Sequence, residues 1–325
     1  MPGTGRLIGR QGRDMAETRS QADVHEVDVV ICTRNRDANI GSAVRGVLAN
    51  DHPSFRLTVI DQSTSDATGD VLAPIASTDD RLTYVHVDEA GLSRAYNTGI
   101  RSTSAEVLAF TDDDCLVPTN WISSIAAAFR AEPAGDLLYG QVIPLDADGT
   151  LTPLLRIEKP EILSRSTGYR VFGMGANFAA RRRLFTSIGG FDEVLGGGGP
   201  LRSSQDYDIA YRTYKSGSSI LLRPEVTLRH DGRREIEDWP TLLLNYGTGD
   251  GGFYTKHVRC LDPYAAWLFA KVLTKSAAQS VIKPLVKRDS ANVPYFKGLL
   301  AGARGSFRFK VDRTRRLYVQ PTTAP

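Results

Sequence analysis

Thr111-Asp112-Asp113-Asp114 sets three carboxylates in a row directly behind an apolar segment, Glu106-Val107-Leu108-Ala109-Phe110. At the end of a buried strand such charges repel and raise one another's proton affinity unless a cation neutralises them. A hard divalent ion, Mg²⁺ or Mn²⁺, takes oxygen ligands and leaves positions open for substrate phosphates. The run therefore reads as a metal–diphosphate site, against the plainer alternative of a solvated acidic turn. Farther along, Val226-Thr227-Leu228-Arg229 leads into His230, which could close the metal shell as a neutral imidazole or serve as a structural histidine. Asp206 and Asp208 open a helix predicted over 205–216 and stand about 200° apart around its axis. At most one can point into a pocket. A carboxylate at a helix N-terminus is favoured in its charged form, which suits a general base near neutral pH and equally suits simple dipole stabilisation.

Elements that could position these groups alternate along the first half. Val27–Thr33 is a β-branched run with the look of a strand buried on both faces. Asn35 or Asp37 can cap a helix whose apolar positions Ala43, Val44, Val47 and Leu48 repeat at helical spacing. Strands are predicted over 57–60, ending in Asp61, and over 82–87. Ser93 can cap a short helix before the strand that carries the acidic run. This order predicts a mainly parallel sheet with helices on both faces. Ligands bind such sheets outside the strand C-termini, where Thr33-Arg34-Asn35, Asp61-Gln62-Ser63 and Asp112-Asp113-Asp114 all fall.

The second half differs in character. A small, apolar stretch from Gly173 to Ala180 precedes Arg181-Arg182-Arg183, which open a short helix. Gly196 to Gly199 form a loop readable as a lid or as a passive connector. Ser203 or Ser204 caps the 205–216 helix and Gly217 stops it. Strand character resumes from Ser219 to Arg223 and again from Val226. Beyond Trp239 the chain reads as helical. Asp262-Pro263 forms a cap with proline at the first helical position, and Pro284 is expected to kink or end that helix.

Composition bounds the rest. The 325 residues, 41% hydrophobic and 24% charged, are ordinary for a globular protein of one large or two smaller domains. Three scattered cysteines, Cys32, Cys115 and Cys260, suggest neither a disulfide framework nor a cysteine metal site. They suit a reducing compartment. No apolar run is long enough for a spanning helix. Residues 1–25 are polar and Gly/Arg-rich, without a signal-peptide core, and read as disordered. The net charge of +3 conceals an asymmetry: residues 253–325 hold 14 Lys/Arg against 3 Asp/Glu. Such a basic tail needs an anionic membrane surface or the acidic body to sit against. No nucleic-acid reading motif is present.

Taken together, Val29-Val30-Ile31-Cys32-Thr33-Arg34-Asn35-Arg36, Val59-Ile60-Asp61-Gln62-Ser63, Gly91-Leu92-Ser93-Arg94-Ala95-Tyr96-Asn97-Thr98-Gly99-Ile100, the Asp112 run, Gly189-Gly190-Phe191-Asp192-Glu193 and Gln205-Asp206-Tyr207-Asp208-Ile209 with Arg212 resemble the bacterial family-two glycosyltransferases. The resemblance covers roughly residues 27–231. It implies an α/β fold of the GT-A nucleotide-diphospho-sugar transferase type: a mainly parallel sheet flanked by helices, here with a helical C-terminal extension. It also implies inverting transfer of a sugar from a nucleotide diphosphate to a hydroxyl. By position, Thr33, Arg34 and Asn35 would line the nucleotide pocket, Asp61 and Gln62 would lie nearer the base, and Arg94 would approach ribose or phosphates. Asp112 and Asp113 would hold the nucleotide, Asp112 and Asp114 the Mg²⁺ or Mn²⁺, and Asp206 would be the catalytic aspartate. The chain departs from the family in having Gln205-Asp206 for Glu-Asp and Asp61-Gln62 for Asp-Asp or Asp-Asn.

The implied organisation is a GT-A domain over 26–240, with a nucleotide-sugar half (26–118) and an acceptor half (119–240), followed by a basic helical extension over 241–325. The acceptor would be a sugar, glycolipid or small molecule, consistent with envelope polysaccharide or natural-product glycosylation in the cytoplasm or at the inner membrane face. Acceptor contacts are expected from 144–172 and the tail. A nucleotidyltransferase would share the sheet and carboxylates but favour a Gly-rich phosphate loop where Thr33-Arg34-Asn35-Arg36 stands. A non-catalytic sugar-binding module needs no base.

Overall fold

The computed structural model describes residues 26–145, 155–170, 173–231, 236–287 and 291–320; the expectation for 1–25 and part of that for 144–172 lie outside them. In chain order the elements are β1 (Val27–Thr33), α1 (Asp37–Leu48), β2 (Phe55–Asp61), α2 (Ala67–Ala76), β3 (Leu82–His86), α3 (Leu92–Ser102), β4 (Val107–Asp112), β5 (Cys115–Leu116), α4 (Trp121–Ala131), β6 (Gly135–Pro144), β7 (Glu161–Leu163), β8 (Asn177–Arg181), α5 (Arg182–Ile188), α6 (Gln205–Ser216), β9 (Ser219–His230), α7 (Trp239–Arg259), α8 (Pro263–Lys287), α9 (Val293–Ser306), β10 (Lys310–Asp312) and β11 (Leu317–Val319).

The main sheet runs β3-β2-β1-β4-β8-β6-β9-β5, with β7 paired to β9. β1 pairs in parallel with both β2 and β4, and β6 with β9, while β8 is antiparallel to its neighbours β4 and β6. Helices cover both faces. Val27, Val29 and Ile31 point into a core under α1 and α4, whereas Val30 points into a second core under α3, α5 and α6. This alternation follows the two-residue period of a strand. Each such side chain contributes about 1.5–3 kcal/mol by leaving water. Phe110 and Phe178 stack at 4.5 Å in the second core.

Register fixes the rim: Thr33 lies opposite Asp61, and Cys32 opposite Asp112. The strand expected to break between Arg223 and Val226 is continuous, with a bulge at Gly140/Gln141. Asn177 fills the bulge, donating to Gln141 O and Val226 O at 2.9 Å each. Gly140 permits this close approach, because a Cβ there would lie 2.1 Å from Val226 O. Continuity carries His230 to the same end of the sheet as Asp114.

Several expected caps are used otherwise. Asn35 adopts φ 54° and its carboxamide oxygen accepts from Thr64 N, so it ties the β1 end to the β2 end instead of capping α1. Asp37 is already inside α1. The Ser93 hydroxyl donates to Leu195 O, and that of Ser204 to Asp250 Oδ1. In each case a tertiary acceptor wins over the local amide. β3 ends at His86 instead of Val87. α8 ends at Lys287, three residues past Pro284.

The basic tail packs on the body. α7 and α9 touch through glycines: a Cβ on Gly302 would lie 1.9 Å from Thr248 O, and one on Gly247 2.1 Å from Tyr295 O. Below them sits a buried ionic cluster. Lys256 Nζ lies 2.6 Å from both Asp192 Oδ2 and Asp208 Oδ1, and Asp208 Oδ2 accepts from Arg212 Nε at 2.7 Å. His257 Nε2 stands 3.0 Å from Asp208, and burial pushes its pKa down to about 4. Asp208 is thus neither a free base nor a simple helix-dipole partner.

Candidate active site

Two cavities open at the strand C-termini. The smaller, about 280 Å³, is lined by Thr33, Arg34, Arg36, Gln62, Asp112, Asp113 and the Gly197-Gly198 backbone. The larger, about 690 Å³, holds Tyr96, Asp112, Asp206, Tyr207 and His230. Leu92 and Asp112 belong to both walls, so the cavities meet there.

Thr33 donates its hydroxyl to Asp113 Oδ2 at 2.6 Å, and Arg36 Nη1 donates to Asp113 Oδ1 at 2.7 Å. Burial pushes the Asp113 carboxyl up despite these contacts. The Gln62 carboxamide staples the 89–91 turn, its oxygen accepting from Gly91 N at 3.1 Å. The four-glycine loop packs onto that turn, Leu92 N donating to Gly197 O. It therefore forms a wall of the smaller cavity. Asp61, Asn35 and Arg94 do not line this cavity. Asp61 is fully buried and accepts from Ser63 N and Tyr84 OH at 2.8 Å each. Arg94 pairs with Glu89 and Gln320 in an adjacent groove.

Donor atoms of Asp112, Asp114, Cys115 and His230 all lie within 4.8 Å of one another. Burial, then the neighbouring Asp114 charge, pushes Asp112 up to about 7. Burial also opposes ionisation of Asp114, but His230 and Arg36 outweigh it and hold its pKa below the usual carboxylate range. Arg36 Nη2 lies 2.8 Å from Asp114 Oδ2 and His230 Nε2 3.1 Å from Oδ1. Each carboxylate oxygen carries two lone pairs, so both buried Asp114 oxygens keep acceptor capacity beside these contacts. Two crowded carboxylates and an imidazole fit a hard divalent cation. Cys115 fits less well, because burial raises its pKa and keeps it a neutral thiol.

Asp206 opens α6 on the face opposite Asp208. Its Oδ1 accepts from Tyr207 N at 2.9 Å, and burial raises its proton affinity. Tyr139 OH donates to its backbone oxygen at 3.1 Å. Arg36, Tyr96 and Cys115 are site residues that sequence reasoning did not single out. Arg36 carried a signal, a cation beside the rim of an acidic run. The Tyr96 hydroxyl is buried in the larger cavity without a hydrogen-bond partner among the described residues, and nothing in its local sequence announces that.

The glycosyl transferase family 2 model matches residues 28–189, which spans β1 to the end of α5 and includes the acidic run. The chain belongs to this family. A pre-mycofactocin glycosyltransferase of Mycobacterium tuberculosis is 24% identical over 249 residues, covering 71% of this chain and 48% of that protein. The chain thus spans about half the length of this curated relative. A glucosyl-dolichyl phosphate glucuronosyltransferase of Haloferax volcanii is 21% identical, covering 63% of this chain and 69% of its own. Among solved structures, the mannosyltransferase PcManGT of Pyrobaculum calidifontis, in complex with GDP-Man and Mn²⁺, superposes with a TM-score of 0.58 at 17% identity. That match covers 86% of this family-2 chain and 88% of PcManGT. Staphylococcus aureus TarS 1-349 gives 0.53 at 14% identity, over 88% and 94%. These likenesses support the GT-A fold. No helix among the described residues is long and apolar enough to cross a membrane.

Proposed function

We propose that this family-2 chain is a metal-dependent, inverting glycosyltransferase that moves a sugar from a nucleotide diphosphate to an acceptor hydroxyl. The observation that carries the reading is the junction of the two cavities at Asp112, with Asp206 in the wall of the larger one. The smaller cavity suits the nucleotide, with Arg34 and Arg36 near its phosphates and Gln62 in its wall. A Mg²⁺ or Mn²⁺ ion held by Asp112 and Asp114, with His230 beside them, would supply charge that stabilises the leaving diphosphate; the Mn²⁺ in the PcManGT complex supports this choice. Tyr96 OH is available to donate to the transferred sugar.

Asp206 takes the proton from the acceptor hydroxyl as that oxygen attacks the anomeric carbon from the face opposite the diphosphate. The configuration inverts because the new bond forms behind the breaking one. The amide of Tyr207 holds the carboxylate in place, while burial raises its basicity toward the operating pH. A nucleotidyltransferase reading gains nothing from the rim, since no glycine-rich phosphate loop follows β1.

The test is incubation with UDP-, GDP- and dTDP-sugars, Mn²⁺ and candidate acceptors, read by product mass and anomeric configuration. The wild-type chain should release the nucleoside diphosphate. Asp206→Asn should lose about 10²–10⁴-fold in turnover with donor affinity little changed. Near-wild-type turnover in that variant would remove Asp206 from the role, and retained configuration would exclude the single displacement.

A further inference from the structure

Asp250 has no part in the chemistry above, yet it is a buried carboxylate in the wall of the larger cavity. Its Oδ1 accepts from Ser204 Oγ at 2.7 Å and its Oδ2 from Tyr295 OH at 2.5 Å. Burial pushes its pKa up to about 6, with the Asp206 charge adding to the rise, so the two carboxylates share one space. A carboxylate offers about four lone-pair positions, and two are taken. Around it stand the rings of Tyr207, Tyr246 and Tyr295. Tyr246 lines the cavity and is 44% exposed. The wall comes from α7 and α9, which lie beyond residue 189, where the family match ends.

A sugar ring combines hydroxyl donors on its edge with an apolar C–H face that carries slight positive charge. Aromatic rings have a negative face that complements it. A charged acceptor surrounded by tyrosines matches both features; a lipid chain would need an apolar tunnel, and a phosphate would need cations in place of Asp250.

We infer that α7 and α9 form the acceptor subsite, and that the acceptor is a saccharide whose ring hydroxyl donates to Asp250 while its ring face packs on Tyr246. The inference rests on the transferase reading. It places the acceptor hydroxyl on the Asp206 side of the cavity, opposite the nucleotide. It also gives the C-terminal helices a direct role in specificity.

The experiment uses the full chain with Mn²⁺ and whichever nucleotide sugar it turns over. Acceptors are the methyl glycosides of glucose, galactose, mannose and N-acetylglucosamine, against benzyl alcohol and a tyrosine-containing peptide. Products should form on the glycosides alone. Asp250→Asn should raise the acceptor KM by about tenfold or more, the scale of a lost charge-assisted hydrogen bond, with kcat falling far less. Tyr246→Ala, at an exposed position, should raise the acceptor KM several-fold, while calorimetry of Mn²⁺ with the nucleoside diphosphate gives a Kd within twofold of wild type. Unchanged acceptor KM in Tyr246→Ala and Asp250→Asn, or equal transfer to benzyl alcohol or peptide, would overturn the subsite while leaving the transferase reading intact. Absence of donor turnover by the wild-type chain would overturn both.

Discussion

Lys256→Met removes one ammonium from a fully buried site and leaves two carboxylates facing each other. Asp192 and Asp208 each lie 2.6 Å from Nζ, and all three side chains are inaccessible to solvent. Arg212 still neutralises Asp208 at 2.7 Å, so the uncompensated charge falls on Asp192. It keeps only neutral backbone donors, the Tyr318 amide at 2.9 Å and the Val194 amide at 3.1 Å. Breaking a buried pair by removing one partner costs about 3–5 kcal/mol. The cost should ease as pH falls. With the ammonium gone, the folded-state pKa of Asp192, already raised by burial, rises farther above its unfolded value. The folded state then binds the extra proton, and stability relative to wild type recovers below neutral pH. Guanidinium unfolding followed by tryptophan fluorescence, with Trp121 as the buried reporter, measures both effects. The exposed Lys275→Met on α8 serves as a control, expected within about 0.5 kcal/mol of wild type. A loss below about 1 kcal/mol for Lys256→Met, or a deficit that widens on acidification, would refute the reasoning.

Other outcomes follow from the rim. Asp114→Ala should abolish the Mn²⁺ dependence of nucleoside-diphosphate binding, measured by calorimetry with and without metal; binding that still strengthens with Mn²⁺ would remove Asp114 from the ligand set. The acid limb of kcat should lie above the ordinary carboxylate range, because burial raises the pKa of Asp206 and the base must be unprotonated. Turnover is retained above that raised pKa and lost as pH falls through it, which a pH–rate profile at saturating donor and acceptor reads directly.

Much of the fold was written in local pattern. The β-branched run Val27–Thr33 and the helical spacing of Ala43, Val44, Val47 and Leu48 determined strand and helix without reference to the rest of the chain. The acidic run behind an apolar strand announced a crowded carboxylate cluster at the sheet rim, because charge crowding is a property of consecutive residues. The opposite facing of Asp206 and Asp208 was equally legible, since helical geometry sets it.

Tertiary structure decided what distance along the chain conceals. Ser93 and Ser204 looked like helix caps, but their hydroxyls reach Leu195 and Asp250. Asp61 and Asn35 also brace the strand ends, through hydrogen bonds that their local sequence does not reveal. Asp208 found Lys256 48 residues later, and Asp250 entered the cavity of Asp206 only because α7 folds back over α6. Each of these outcomes depends on long-range hydrogen bonds and ion pairs that form where water is excluded. A local pattern records which groups a residue carries; burial alone decides which partner each group must find.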